Sequence, residues 1–237
     1  MYGVVRFDAA AARFFSELNN HSVLADRIFG FIFALKTFKV FPLVLILVAM
    51  WFAQSRNERI RRAVIAGALG ATLTMLLTHL LQHVAPPRLR PAQTGLYEFH
   101  IFGPFGPDAS SFPSDTIGLA CALALAIFAG SRWWGLAAFA WVLLVDLVNK
   151  LYGGFHYPSD ALVGALIGIS ATGAFLLLPA LTGAVSGWLD RFERTRPMSF
   201  YMLVLFAMFE LSTLFDDLRK SGNALISRHV YAIEAGA

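Results

Sequence analysis

The sequence predicts an all-α fold: a polytopic membrane bundle of six core transmembrane helices, with one flanking helix possible. Of the 237 residues, 57% are hydrophobic and only 14% are charged, whereas a soluble domain carries about 25% charged residues. The apolar residues form long blocks instead of the alternation typical of a soluble sheet. The net charge of +4 comes from short basic runs between these blocks, as topology signals do, so no nucleic-acid partner is expected.

The N-terminal segment, residues 1–22, predicts an amphipathic helix with an apolar stripe on one side and its charged residues on the other. An interfacial helix and an ordinary surface helix both fit this pattern, and the interfacial helix is the interpretation adopted here. The stripe consists of Phe7, Ala11, Phe14, Phe15 and Leu18.

The apolar run over residues 28–53 is interrupted by Lys36 and Lys39, with Pro42 just beyond them. One long broken helix fits this run. A short helix, a turn at these lysines and a second helix fit it equally well. Whether the run crosses the membrane once or twice is therefore left open by the sequence.

Five further apolar blocks predict the remaining helices. Some are shorter than the ~20 residues that span a hydrocarbon core, so their ends must extend into flanking polar turns. Gly164 and Gly168 form a small-xxx-small pair, which favours close contact between helices. The whole chain, 1–237, is predicted to be one integral membrane domain, with a core over 60–181 and a last helix and polar tail over 198–237. The five blocks are 63–84, 117–130, 134–148, 161–181 and 198–215.

Three connections carry the arginines that predict orientation: those around 56–62, 132 and 191–196. They alternate along the chain as cytoplasmic loops should. The connections 85–113 and 149–159 are then expected on the outer side of the membrane, and they hold nearly all of the chemically interesting polar residues.

One tetrad occurs twice, as Phe112-Pro113-Ser114-Asp115 and as Tyr157-Pro158-Ser159-Asp160, each directly before an apolar helix. Proline suits the first helical position and an acid in the first turn complements the helix dipole. Each tetrad therefore predicts a helix N-terminus at the outer surface. Unpaired N–H groups at such ends favour an anion, above all phosphate.

Cationic and histidine side chains stand beside both tetrads and predict an oxyanion clamp of the kind that phosphoryl transfer needs. His156 precedes Asp160 by four residues, so the carboxylate could hold one ring nitrogen and leave the other free to attack. Asp146 lies one turn before Lys150 and could orient it. The remaining polar neighbours are His83, Arg88, Arg90 and Asn149.

These motifs resemble those of the type 2 phosphatidic acid phosphatase family of integral membrane lipid phosphatases. That family shows K-x6-R-P, then P-S-G-H or P-S-D-H, then S-R-x5-H-x3-D. The corresponding elements here run over 83–91, 113–116 and 149–160, and the resemblance covers about residues 60–181. Within the family, the chain is most similar to bacterial undecaprenyl-pyrophosphate phosphatases, which implies a bacterial inner membrane with the active site facing the periplasm or exterior.

By this resemblance, His156 would be the nucleophile that forms a phosphohistidine, and Asp160 would orient it. The implied phosphate-binding residues are Arg90, Ser114 and Lys150, with His83, Asp115 and Thr116 at other motif positions. No cofactor is implied. No metal is expected either: His79 and His83 have metal-ligand spacing, but no acid accompanies them on that helix.

Thr116 stands where the family has its second histidine, the general acid, whose loss typically costs about 10²–10⁴-fold. Three alternatives follow: the substrate is a diphosphate, whose leaving group needs little protonation; His83 or His100 donates the proton; or the site is no longer a phosphatase. Hydrolysis of a lipid phosphate or diphosphate, with polyprenyl diphosphate as the best substrate, is the leading function. A lipid phosphotransferase acting on an alcohol and a non-catalytic lipid-phosphate binder or transporter are the rivals. The oligomeric state is not indicated.

Overall fold

The computed structural model describes residues 2–19, 21–35, 39–53, 57–99 and 110–215, and within these ranges every regular element is helical. The α-helices are α1 (Tyr2–Leu18), α2 (Val23–Ala34), α3 (Phe41–Ala53), α4 (Glu58–Val84), α5 (Asp115–Gly130), α6 (Arg132–Trp141), α7 (Val148–Tyr152), α8 (Pro158–Leu176), α9 (Pro179–Thr195) and α10 (Pro197–Ser212). The all-α prediction is confirmed.

Six apolar helical stretches among the described residues agree with the predicted bundle. Three are long and apolar enough to cross a membrane: α4, α8 and the stretch Arg132–Tyr152. In that last stretch a π-helical segment, Val142–Leu147, joins α6 to α7. The other three, α3, α5 and α10, are shorter apolar helices.

The core of the bundle is α5, which packs against α4 and α8, and these two also pack against each other. Leu119, Leu123 and Ile127 of α5 are completely buried. This burial explains why α5 is almost uniformly apolar: a helix surrounded by others has no face for polar residues. Helices α3 and α6 cover its remaining sides.

Glycines allow α5 and α8 to approach closely. A β-carbon at Gly168 would collide with the backbone carbonyl of Gly118, and one at Gly164 would collide with the carbonyl of Ser114. The predicted contact through Gly164 and Gly168 is therefore confirmed. It fixes the start of α5 against α8, which is where the two tetrads lie.

The predicted basic connections gather at the end of the bundle opposite the tetrads. Arg59 Nε donates to the carbonyl of Ala129, 3.2 Å away, which places the start of α4 beside the end of α5. Arg61 forms an ion pair with Asp190 of α9. The assignment of this end to the cytoplasm stays a prediction.

Two expectations about element boundaries are settled by the helices. The run 28–53 forms two helices, α2 and α3, which agrees with the interpretation of a short helix followed by a second helix; residues 36–38 of the predicted turn lie outside the described residues. The predicted block 161–181 is wrong at its end, because α8 ends at Leu176 and Pro179 begins α9. Proline lacks the N–H that a helix interior needs, so it starts a new helix there.

The predicted helix over the N-terminal segment is present as α1, but Asp8, expected on its exposed charged side, is buried. Phe7 and Phe14 of the apolar stripe are exposed, at 63% and 59%. Asp8, counted with the outward-facing charges, is only 2% exposed. The helix therefore packs on α7 and α8 through a face that carries a carboxylate.

Candidate active site

A tight turn after α7 brings His156 back over the end of that helix. Gly154 has φ +64°, a left-handed conformation that glycine adopts without strain. The turn is held by the N–H of Phe155, which donates to the carbonyl of Lys150 at 2.9 Å. Arg90 Nη1 donates to the carbonyl of Phe155 at 3.3 Å. The turn therefore gathers His156, Lys150 and Arg90 at one place.

His156 is held in one tautomer by the backbone. Its ring is 4% exposed, and its Nδ1 lies 2.7 Å from the carbonyl oxygen of Ser111. A carbonyl can only accept a hydrogen bond, so Nδ1 carries the proton and Nε2 carries the lone pair. The lone pair of Nε2 is therefore the one that could attack phosphorus.

Two cations surround that nitrogen. Lys150 Nζ lies 3.4 Å from His156 Nε2, and Arg90 is near enough to act on the ring through its charge. Burial, together with the charges of Lys150 and Arg90, holds the pKa of His156 well below its usual value of 6.5. The imidazole is therefore neutral and nucleophilic at neutral pH.

Asp160 is completely buried and approaches His156 without forming a hydrogen bond to it. Its Oδ2 lies 3.9 Å from Nδ1 of the ring and accepts the backbone N–H of Tyr157 at 2.9 Å. Its Oδ1 accepts Nη1 of Arg88 at 2.5 Å. The hydrogen bond expected from the ring to Asp160 thus goes to Ser111 instead, and the carboxylate of Asp160 stays 3.9 Å from the ring nitrogen.

The first tetrad presents an unused hydroxyl. Helix α5 begins at Asp115, with Ser114 as its N-cap, so Pro113 precedes the cap and does not occupy the first helical position as expected. Ser114 is completely buried, and its Oγ has no hydrogen-bond partner within the part of the chain that the structure describes. A buried hydroxyl left unsatisfied costs about 1–3 kcal/mol, so such a group is a natural site for a ligand oxygen.

Asp115 and Thr116 largely satisfy each other. Asp115 Oδ1 accepts the backbone N–H of Thr116 at 2.6 Å and its hydroxyl at 3.1 Å. Asp115 also attracts Lys150 through its charge. Thr116 is buried, and a hydroxyl of this kind is far too weak an acid to replace an imidazolium.

His83, a predicted phosphate-binding residue, has no recorded contact with the other predicted site residues within the described part of the chain. Its ring is exposed at the end of α4, with Nδ1 2.8 Å from the carbonyl of His79. Its neighbour Gln82 faces α5 and donates to the carbonyl of Pro113 at 3.1 Å. His100, the other candidate proton donor, lies outside the described residues.

Asp146 is completely buried in the π-helical segment, and neither of its carboxylate oxygens has a hydrogen-bond partner among residues 2–19, 21–35, 39–53, 57–99 and 110–215. It interacts with Lys150 through its charge without a direct contact. Lys39, also buried, acts electrostatically on both Asp146 and His156. From the sequence, Lys39 was interpreted only as an interruption between helices, because it lies far along the chain from every motif.

The sequence did not predict three features of the site: the role of the Ser111 carbonyl, the contact between Arg88 and Asp160, and the participation of Asp8. Arg88 was noticed as a neighbouring cation, but its contact with Asp160 follows from no spacing in the sequence. Ser111 acts through its backbone carbonyl, which carries no residue-type signal. Asp8 Oδ2 accepts Arg88 Nη2 at 2.7 Å although the two residues are 80 positions apart.

This arrangement suits the transfer of a phosphoryl group. A neutral histidine directs its Nε2 lone pair at Lys150 Nζ, 3.4 Å away, and the charge of Arg90 also acts on its ring. At a helix N-terminus, the buried hydroxyl of Ser114 has no hydrogen-bond partner among the described residues. Phosphoryl transfer requires positioning and charge stabilisation of three oxygens around a nucleophile in line with the leaving group, and these residue types supply both.

Comparisons with known proteins cover this same region. The family model of the PAP2 superfamily matches residues 62–184, more than half of the chain. The chain is 27% identical over 177 residues to the bacitracin transport permease protein BcrC of Bacillus licheniformis, which covers 73% of this chain and 81% of that protein. It is also similar to the crystal structure of Aquifex aeolicus LpxE, with 26% identity and a TM-score of 0.53 over 69% of this chain and 92% of that chain. The chain therefore belongs to the PAP2 superfamily, the type 2 phosphatidic acid phosphatase family of membrane enzymes that act on lipid phosphates.

Proposed function

We propose that this enzyme hydrolyses a lipid diphosphate, best a polyprenyl diphosphate, at the extracytoplasmic face of the inner membrane, with His156 as the nucleophile. The observation that carries the proposal is the tautomer of His156. The Nδ1–H of His156 donates to the carbonyl of Ser111 at 2.7 Å, and the lone pair of Nε2 is directed at Lys150 Nζ, 3.4 Å away. A histidine that only filled a polar position would not need to place this lone pair beside a cation that can also bind a phosphoryl oxygen.

The proposed reaction has two displacements. In the first, His156 Nε2 forms a bond to the terminal phosphorus, and the bond from that phosphorus to the bridging oxygen breaks, its electron pair leaving with the lipid monophosphate. In the second, the oxygen of a water molecule forms a bond to phosphorus, and the P–N bond breaks with its electron pair returning to Nε2. Inorganic phosphate departs with both protons of the water, as dihydrogen phosphate. Arg90, Lys150 and the hydroxyl of Ser114 hold the phosphoryl oxygens in both steps.

Thr116 is the reason for proposing a diphosphate. Expelling the alkoxide of a lipid monophosphate needs a proton, whereas expelling a phosphate needs little help. The hydroxyl of Thr116 is bonded to Asp115 and is too weak an acid to supply that proton. The lipid monophosphate that leaves a diphosphate is a good leaving group without it.

Phosphohistidine formation is the decisive test. The purified protein is mixed with a polyprenyl diphosphate labelled at its terminal phosphate, quenched in alkali, and searched for phosphate on residue 156 by mass spectrometry. We expect label on the wild type and none on His156→Gln, with unchanged labelling in His21→Gln, since His21 is an exposed histidine. Phosphate release without any labelled histidine would contradict the covalent route.

A substrate comparison tests the choice of diphosphate. Wild-type protein should release phosphate faster from a polyprenyl diphosphate than from the matching monophosphate. Thr116→His should raise the monophosphate rate by up to about 10²-fold, the ordinary worth of a general acid, and should raise the diphosphate rate much less. Equal wild-type rates on the two lipids would instead indicate another proton donor.

Two rival functions are separated by the same measurements. The name of the relative BcrC, a bacitracin transport permease, favours a binder or transporter, which would bind lipid phosphate tightly and release no phosphate. A phosphotransferase, favoured by the absence of the acid histidine, would form the labelled His156 but pass its phosphoryl group to an alcohol. Product analysis in the presence of glycerol distinguishes transfer from hydrolysis.

A further inference from the structure

Asp8 makes three hydrogen bonds that tie α1 to the second tetrad. The residue is 2% exposed. Its Oδ1 accepts the backbone N–H of Ser159 at 3.1 Å, and its Oδ2 accepts the hydroxyl of Ser159 at 2.5 Å and Nη2 of Arg88 at 2.7 Å. A buried carboxylate is tolerable only when it is paired and hydrogen-bonded, and Asp8 has both kinds of partner.

Arg88 connects this carboxylate to the one beside the nucleophile. Nη2 reaches Asp8, and Nη1 reaches both Ser159 Oγ at 2.8 Å and Asp160 Oδ1 at 2.5 Å. The guanidinium also lies over the ring of Tyr157, 4.1 Å from its centroid. Because the guanidinium is planar and rigid, fixing Nη2 also fixes where Nη1 stands.

Charge holds this arrangement together. Burial alone would lower the pKa of Arg88, but hydrogen bonds and charge from Asp8 and Asp160 outweigh burial and raise it. Arg88 is therefore a permanent cation shared by two carboxylates. Removing Asp8 would leave Arg88 free to turn fully toward Asp160 or away from it.

From these contacts we propose that Asp8 is a positioning residue of the active site. It fixes Arg88, Arg88 fixes the carboxylate of Asp160, and Asp160 lies 3.9 Å from Nδ1 of His156. This inference rests on the proposed function, because it takes His156 as the nucleophile. Helix α1 lies outside the residues 62–184 that match the family, so an element beyond the family core completes the site.

The docking of α1 and the positioning of Arg88 can be separated experimentally. Asn19, at the far end of α1, donates through Nδ2 to the carbonyl of Tyr152 at 2.8 Å and touches none of the Asp8 contacts. Glu17 is an exposed carboxylate on the same helix. Asn19→Ala therefore weakens docking alone, and Glu17→Gln removes a charge from α1 without touching Arg88.

The experiment compares steady-state phosphate release from a polyprenyl diphosphate in detergent micelles for Asp8→Asn, Glu17→Gln and Asn19→Ala in the full chain. A small misplacement of a catalytic group can cost about 10²-fold, so Asp8→Asn should lower kcat by about 10- to 100-fold. KM should change little, since the phosphate ligands are untouched. Glu17→Gln and Asn19→Ala should keep wild-type kcat. A wild-type kcat for Asp8→Asn, or an equal loss in Asn19→Ala, would overturn the proposal.

Arg88→Lys supplies the second measurement and serves if Asp8→Asn does not fold. Because Asp8 acts through Arg88, the double variant Asp8→Asn/Arg88→Lys should have a kcat no lower than that of the worse single variant. Independent effects would instead multiply the two reductions in kcat. Unchanged kcat in Arg88→Lys, or multiplied losses in the double variant, would refute the relay. His156→Gln separates the two ideas: if it keeps activity, the proposed function fails, and if it is inactive while Asp8→Asn is normal, only the role of Asp8 fails.

Discussion

The two tetrads have nearly the same sequence but use their side chains differently. In the first, the hydroxyl of Ser114 has no partner among the described residues, and Asp115 accepts from its own neighbour, Thr116. In the second, the hydroxyl of Ser159 is bonded to Asp8 and Arg88, and Asp160 is buried against Arg88. The two tetrads therefore differ most in their serines, of which only Ser159 is engaged.

The difference shows that a repeated motif need not mean a repeated function. Both segments begin a helix, and both helices meet through the Gly118 and Gly168 contact. The partners supplied by the rest of the chain then decide the roles. The first tetrad is suited to hold the substrate phosphate through Ser114, and the second is suited to orient His156 through Asp160.

Replacing the acid of each tetrad, Asp115 or Asp160, by asparagine should produce the largest difference in kcat between the two tetrads. Asp160→Asn removes the charge beside the nucleophilic histidine, and comparable losses in histidine-based catalysis are about 10⁴-fold in kcat. Asp115→Asn should cost no more than about tenfold, or 1.4 kcal/mol, since an amide oxygen can still accept the bonds from Thr116. Phosphate release measured at saturating lipid diphosphate gives both values. Equal losses would mean that the two acids have equivalent roles.

Removing one hydroxyl from each tetrad should separate activity from stability. Ser114→Ala should lower activity by about 10²–10³-fold, the worth of one donor to a transition-state oxyanion. The thermal midpoint should stay unchanged or rise, because among the described residues this buried hydroxyl has no hydrogen bond to lose. Ser159→Ala should lower stability by about 1–3 kcal/mol, because a hydrogen bond to a carboxylate is lost, and leave most activity. Activity and unfolding assays on the same preparations test this pair, and the reverse pattern would exchange their roles.

The glycine contact beneath the tetrads offers a smaller effect on stability. Gly168→Ala places a methyl group against the backbone carbonyl of Gly118 and should destabilise the bundle by about 1–3 kcal/mol, the usual cost of overpacking. Gly173→Ala is the matched control on α8, because open space surrounds that position. It should be neutral or stabilising, by up to about 1 kcal/mol from helix propensity. Thermal unfolding in detergent compares them; equal midpoints would mean that α5 and α8 adjust freely.

The smallest expected effect is on the pH dependence of kcat/KM, which reports the protonation of His156 near the two tetrads. Burial and the charges of Lys150 and Arg90 hold the pKa of His156 well below 6.5. The neutral, nucleophilic form therefore persists below pH 6.5, and kcat/KM should fall only when the pH passes below the lowered pKa. Arg90→Gln removes one repelling cation, so its remaining kcat/KM should begin to fall at a higher pH. An acid limb that does not move would show that Arg90 does not act on the free imidazole.

The arrangement of helices was largely determined by the sequence. Long apolar blocks cannot remain in water, and their lengths and arginine-rich connections predict the six apolar helices and the end at which the basic residues gather. The H-x3-D spacing also placed His156 and Asp160 near each other, because a turn and the first helical residues allow few other geometries. Such signals are local: they depend on periodicity and on neighbours within a few residues.

Only the tertiary structure decided which partner each side chain has. The Nδ1–H of His156 donates to the carbonyl of Ser111, 45 positions away, and the N–H of Ser159 donates to Asp8, 151 positions away. A backbone carbonyl has no residue-type signal, and α1 gives Asp8 the same pattern as any surface acid. Hydrogen bonds between distant segments depend on how whole helices pack. Two nearly identical tetrads could therefore acquire different roles that their own residues do not predict.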